Sequence, residues 1–234
     1  DRPQLKIFFF FYRPQLKKER KNMKIQEINL GELAYPYLLS QIYSPPKKLY
    51  VIGNIEILRE KSIAIVGCRD ASNYGKKVAK ELAYNLGKHN IITVSGLARG
   101  IDTFCHIGSV EAKARTIAVL AHGLDMIYPK ENRNLAIKIL NCGGALVSEY
   151  NIGEKPLKQN FPARNRIISG LSESTVVVEA KKESGSLITA NFALNEGRNV
   201  YAVPGNITSS NSDGTNELIK IGANVLTSYK DLLN

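Results

Sequence analysis

The sequence has no tryptophan, only two methionines, and three cysteines in 234 residues. Cys68, Cys105 and Cys142 are odd in number, far apart, and form no Cys-x-x-Cys pair. That excludes a disulfide framework and points to a reducing, cytoplasmic compartment. Membrane-length apolar runs are missing: Ile7–Tyr12 has six residues, whereas a spanning helix needs about 20 and a signal core about 7–15. The dinucleotide pattern G-x-G-x-x-G is missing as well, since neither Gly67-Cys68-Arg69-Asp70 nor Gly96-Leu97-Ala98-Arg99-Gly100 fits it. No G-x-x-x-x-G-K-[ST] loop is present for a nucleoside triphosphate. Hydrophobic residues make up 44% and charged residues 23%, which excludes a disordered or collagen-like chain.

Acidic residues are in deficit. Lys and Arg number 32 against 21 Asp and Glu, a formal net charge of +11. Residues 1–24 hold eight cations against Asp1 and Glu19, so more than half of the excess sits in that stretch. Arg-Pro-Gln-Leu-Lys occurs there twice, at 2–6 and 13–17. We read residues 1–22 as a basic extension outside the fold and residues 23–234 as the folded domain, with 23–61 an added N-terminal layer. A polyanion bound by the folded part must meet a local cluster of cations.

From residue 62 onward short β-branched runs recur: 63–66, 91–95, 116–121, 145–148, 175–179, 200–203 and 224–226. Each is nearly continuously apolar, as a strand buried on both faces must be. Helical spacing lies between them, as in Val78, Leu82 and Leu86, then near 102–114, 132–140, 186–196 and 214–221. A further helical stretch is expected around Leu33–Ile42 and a strand at Leu49–Ile52. Repeated strand–helix units predict an α/β fold, an open parallel sheet with helices on both faces. Too few units are present for a closed eight-stranded barrel.

Such a sheet binds ligands where its βα loops gather. Gly67-Cys68-Arg69, Ser95-Gly96-Leu97-Ala98-Arg99-Gly100, His122-Gly123 and Ser184-Gly185-Ser186 each place glycine at or just past a strand end. Glycine allows close backbone approach, and a helix N-terminus presents N–H groups to an anion. Arg69 is the first candidate for a ligand pocket; the bland reading pairs it with Asp70 or Asp102. Arg99 contacts phosphate or caps a loop, and the residues leave both open. A second cluster, 155–166, holds four cations and Phe161 without an acid. We read it as a Pro-bounded loop in which Phe161 either plugs the core or stacks on unpaired bases. Glu149 and Glu179, expected to end neighbouring strands, are read as bonding loop N–H groups. His89, His106 and His122 are read as structural, and no metal site is expected.

Taken together, these motifs resemble a known family. Gly-Cys-Arg at 67–69, Ser-Gly-Leu-Ala-Arg-Gly-Ile-Asp at 95–102, Gly-Leu-Asp-Met-Ile-Tyr-Pro at 123–129 and Ser-Glu-Tyr at 148–150 open the series. Phe-Pro-Ala-Arg-Asn-Arg at 161–166, Gly-Ser-Leu-Ile-Thr-Ala at 185–190, Ala-Val-Pro-Gly at 202–205 and Gly-Thr-Asn-Glu-Leu-Ile at 214–219 complete it. In that order they are similar to the DNA-processing protein A family (DprA, also called Smf), over about residues 35–234.

The resemblance implies an extended Rossmann-like fold and a role in bacterial natural transformation. It implies binding and protection of single-stranded DNA, help in loading the RecA recombinase, a homodimer, and neither catalytic turnover nor a cofactor. In the family's terms Gly67 and Arg69 belong to a DNA pocket, Lys158 and Phe161 contact DNA, and Arg164 and Asn165 share that motif. Gly96, Arg99, Gly185 and Ser186 join them as rim residues. Cys68 replaces the usual Ser or Thr, so backbone N–H groups are left to meet a phosphate there. The winged-helix domain many members carry has no room before Asn234. The competing class is a lysine-decarboxylase-like nucleoside phosphoribohydrolase, whose Pro-Gly-Gly-x-Gly-Thr loop reads Glu-Ser-Gly-Ser-Leu at 183–187 here.

Overall fold

In the computed structural model, residues 24–233 are described; the expected extension at 1–22 lies outside them. Nine strands form one sheet in the order β1-β2-β6-β5-β4-β3-β7-β8-β9. The strands are β1 (Gln26–Asn29), β2 (Lys48–Gly53), β3 (Ser62–Val66), β4 (Ile92–Ser95), β5 (Thr116–Leu120), β6 (Ala145–Ser148), β7 (Ser174–Val177), β8 (Asn199–Ala202) and β9 (Asn224–Val225). From β6 to β9 every pairing is parallel, while β2 joins β6 and β1 joins β2 antiparallel. The continuous apolar runs of β3 to β6 are therefore strands covered on both faces, as read above, and β7 is nearly so, whereas the edge strand β9, expected to be covered likewise, is exposed at both of its residues.

Alternate residues of one strand serve opposite cores. Ala64 and Val66 pack with Ile167, Ile168 and Ala190, whereas Ile63 and Ile65 pack with Leu82, Leu86 and Cys105. Helices α2 (Asn73–Lys88), α3 (Ile101–Glu111) and α4 (Arg133–Asn141) thus cover one face. The other carries α5 (Asn160–Gly170), α6 (Gly185–Asn195) and α7 (Asp213–Lys220), with the short α1 (Tyr37–Ser40) beside α5. Among the described residues no helix is long and apolar enough to cross a membrane.

The chain runs from β3 outward through β4, β5 and β6, then returns to place β7 beside β3. Loops after β3 and β7 diverge there to opposite faces and leave a crevice at the carboxyl ends of the two strands.

Four sequence expectations need correction. Residues 160–170 form a helix, not a loop: Pro162 occupies the first turn, where a missing N–H has no intrahelical partner to lose. Ile167, Ile168 and Leu171 then bury that helix against the sheet. The expected helix at 33–42 shrinks to Tyr37–Ser40, because the preceding stretch is a turn anchored by Tyr35, whose hydroxyl donates to the Pro46 carbonyl at 2.7 Å. Strand β1 went unread, since only Ile28 of its four residues is buried. Glu149 and Glu179 do not end neighbouring strands; β5, β4 and β3 separate β6 from β7.

Candidate functional site

At the crevice lies a hollow of about 820 Å³. Its walls include Gly67 and Arg69 from the turn after β3, Lys158 and Phe161 ahead of and within the first turn of α5, and Gly185 and Ser186 at the start of α6. Arg164 and Asn165 of α5 line it as well. Gly96 and Arg99 stand apart, in a small adjoining recess of about 60 Å³ that Arg69 and Phe161 also border. Segments nearly 120 residues apart in sequence thus share one rim.

The turn carrying Arg69 is built by close backbone packing. A Cβ on Gly67 would lie 2.4 Å from Cγ1 of Ile101, and one on Gly100, at φ +74°, would lie 2.2 Å from the Cys68 carbonyl oxygen. Glycine at both positions lets the loop after β4 lie directly against the turn after β3. Buried Glu179 secures the other side. Its carboxylate accepts from the Ser72 amide at 2.9 Å, the Ser72 hydroxyl at 2.5 Å and the Cys68 thiol at 3.6 Å. Burial first, then the Glu179 charge, pushes the Cys68 thiol up to about 12, so it stays protonated. The Cys68 amide donates to the Glu179 carbonyl at 2.8 Å. That corrects the expectation that this amide is left for a phosphate.

Arg69 is exposed, and its guanidinium lies 4.9 Å from the Phe161 ring centre. Phe161, half-buried, meets Tyr128 at 5.8 Å between ring centres, the planes tilted by 58°. Tyr128 is 47% exposed. The three side chains make a stepped wall, cation on ring on ring, and the exposed Lys158 borders the same hollow. Neither alternative for Phe161 was complete: it is half sunk in the wall with part of its ring open.

Arg164 has a different role. It is 4% exposed, and its guanidinium donates to the carbonyls of Gly96, at 2.8 Å, and Val119. Burial lowers it to about 10, Asp102 opposes that shift, and the Arg69 charge adds to it. Burial raises Asp102, against the pull of Arg164, and its carboxylate accepts from the Gly96 amide at 3.1 Å. Arg164 therefore forms the floor and ties α5 to the ends of β4 and β5. Asn165 donates to the Gly185 carbonyl at 3.1 Å and couples α5 to α6.

The N-terminus of α6 points to the hollow, with Ser184 as cap accepting from the Ser186 amide. A Cβ on Gly185 would meet nothing within 4 Å, so packing does not demand glycine there. Arg99 pairs with Glu131 at the exposed surface. Arg166 makes a two-point ion pair with Glu149 at 2.7 and 2.6 Å. Glu149 is thus held by a cation, where loop N–H groups were expected. Among the described residues no cluster of three or more His, Cys, Asp or Glu side chains is arranged to hold a metal.

Sequence reasoning missed Tyr128 as part of the wall and Asp102 as the acceptor of the Gly96 amide, whereas Glu179 bonds a loop N–H group, that of Ser72, as expected. Tyr128 stands in the quoted motif at 123–129, and an aromatic before Pro129 on a rim loop was the available signal. Asp102 was read only as a possible partner of Arg69, and its place beside Arg164 follows from packing that no local pattern carries.

A family model described as DNA recombination-mediator protein A matches residues 26–234. The DNA processing protein DprA of Streptococcus pneumoniae is 44% identical over 210 residues, 90% of this chain and 74% of that one. A solved structure of DNA processing protein A from that species superimposes with a TM-score of 0.83 at 42% identity, covering 92% of this chain and 75% of the other. DNA processing protein A from Helicobacter pylori, whose structure is described for its unique single-stranded DNA binding mode, gives a TM-score of 0.81 at 30% identity. There 91% of this chain and 95% of that chain are covered.

Proposed function

The chain belongs to the DNA recombination-mediator protein A family, and from that premise we propose that it binds single-stranded DNA in the hollow between β3 and β7. The observation that carries this reading is the stepped wall, Arg69 over Phe161 beside Tyr128, in a hollow that Lys158 also lines. Single strands are held by cations that follow the phosphates and by rings on which bases stack, and both kinds of group are present here. A duplex keeps its bases stacked inside and cannot use the rings. The helix N-terminus at Gly185 adds amides and a favourable dipole end for one phosphate. The Helicobacter relative, described by its single-stranded DNA binding mode, supports the same ligand class.

The proposal extends to protection of incoming strands and their delivery to RecA during transformation, by a cytoplasmic homodimer that turns over no substrate and needs no cofactor. A strand-exchange reaction with RecA on protein-coated single strands tests the delivery step. Light scattering tests the dimer. Release of free base from nucleoside monophosphates would instead favour the phosphoribohydrolase class.

Titration of single-stranded and duplex oligonucleotides across salt concentration tests the binding itself. The native chain should prefer the single strand. Arg69→Ala and Lys158→Ala should each weaken binding and reduce the log–log salt slope by about 0.7. Equal affinity for both DNA forms, unmoved by either substitution, would overturn the reading.

A further inference from the structure

A second depression, of about 460 Å³, lies on the same rim, at the carboxyl ends of β3, β7 and β8. Ser72 and Tyr74 at the start of α2, Glu179, and the segment Pro204-Gly205-Asn206 after β8 line it. We propose that this recess is a second subsite for the same strand, one that takes a further unpaired base with its sugar next to the stretch held in the hollow. The inference rests on the reading of the hollow given above.

The chemistry of the lining selects for base and sugar. Among the described residues that border the recess there is no lysine or arginine, so a phosphate finds no counter-charge. Its one carboxylate, Glu179, is directed at Ser72 and Cys68 within the protein. The remaining groups are neutral hydroxyls, an amide and one ring.

That ring is held in place. The Tyr74 hydroxyl donates to the Pro204 carbonyl at 3.1 Å, which props the side chain across the mouth with 51% of it exposed. The facing wall is itself clamped: the Asn216 side chain accepts from the Gly205 amide at 3.2 Å and donates to the Gly205 carbonyl at 3.1 Å. Ile207, 88% exposed, projects from the same loop. A preset aromatic face beside a fixed wall suits stacking, where little side-chain freedom is lost on binding.

The two depressions are lined by neighbouring stretches of chain. Residues 67–70 and 181–186 border the hollow, whereas Ser72, Tyr74 and Glu179 border the recess. Asp70, on the hollow's side, has a carbonyl that accepts from Asn211 at 3.0 Å and a carboxylate that stands 4.0 Å from Lys181. Arg69 and Tyr74 are five residues apart in the chain, a span of at most about 18 Å. A strand seated on Arg69 reaches Tyr74 within a few nucleotides.

The test compares oligothymidines about 4 and about 16 nucleotides long, the range of site sizes for small single-strand-binding modules. It is run on the native chain, Tyr74→Ala, Tyr74→Phe and Arg69→Ala. Tyr74→Ala should weaken the long oligonucleotide at least about fivefold, leave the short one unchanged, and keep the salt slope of the native chain. Tyr74→Phe, which retains the ring without the hydroxyl, should bind both lengths like the native chain. Three results would overturn the subsite: equal loss at both lengths, a reduced salt slope, or Tyr74→Phe falling as far as Tyr74→Ala, which makes the side chain a strut. Failure of the hollow reads differently, as weak binding of the short oligonucleotide by the native chain or indifference to Arg69→Ala.

Discussion

The guanidinium of Arg69 rests 4.9 Å from the centre of the Phe161 ring, joining the turn after β3 to the first turn of α5. The contact does two things at once. It holds a cation at the mouth of the hollow through the ring quadrupole, and it leaves the rest of the ring open for a base.

Truncating the ring removes both effects. Phe161→Ala should cost about 1–3 kcal/mol of affinity for a single-stranded oligonucleotide. Duplex binding should change little, and fluorescence anisotropy with the two DNA forms separates the outcomes. Equal losses on both would show that Phe161 acts through the fold.

Arg164 should report on stability instead of binding. Arg164→Met leaves the carbonyls of Gly96 and Val119 without their donor and Asp102 without its nearby cation. Removing one member of a buried charged set costs about 3–5 kcal/mol. Urea unfolding should show that loss. In the variant Asp102 should take up a proton more readily than in the native chain, since burial already raises it and Arg164 opposes the rise.

Two glycines on the same rim should behave in opposite ways. Gly67→Ala puts a methyl 2.4 Å from Ile101 and 3.0 Å from the Glu179 carbonyl, so the Arg69 turn must shift. Overpacking of this kind costs about 1–3 kcal/mol, and DNA binding should fall with it. Gly185→Ala meets nothing and should leave the melting temperature unchanged. Any loss of oligonucleotide affinity in Gly185→Ala then measures a phosphate or sugar approaching the α6 N-terminus.

Acid should destabilise the fold through its buried histidines. His106 is 0% exposed and is lowered to about 3, chiefly by burial and then by the Arg164 charge. His122, also buried, is lowered in the same direction. Between the ordinary histidine range and the depressed values the unfolded chain binds more protons than the folded one. Through His106, stability therefore falls as pH drops from about 6.5 toward about 3, by about 1 kcal/mol per pH unit, and His122 acts in the same direction. Replacing His106 by Asn should flatten the dependence seen in urea titrations at successive pH values. An unchanged slope would place the proton uptake elsewhere.

What could be read in the sequence follows from how local the cause is. Ile63, Ala64, Ile65 and Val66 had to be a strand buried on both faces, because four adjacent apolar residues need cover on both sides. Lys158 and Phe161 stood out as a cation and a ring in a stretch without acids. The helix that carries Phe161 did not, because Pro162 reads as a breaker unless its place in the first turn is known. Arg164 read as a member of the DNA-contacting motif, and only the packing of α5 on the sheet showed it to be the buried floor.

The sequence by itself determined the strand–helix repeat and the residue types available at each strand end, because burial and backbone propensity act over a few neighbouring positions. Tertiary structure alone decided that β7 lies against β3 and that Glu179 bonds Ser72. It also decided that Arg69, Phe161 and Gly185 face one hollow. Strand order is a property of how whole crossovers pack on a sheet, and no local pattern carries it. The site exists because that order brings distant loops to a single edge.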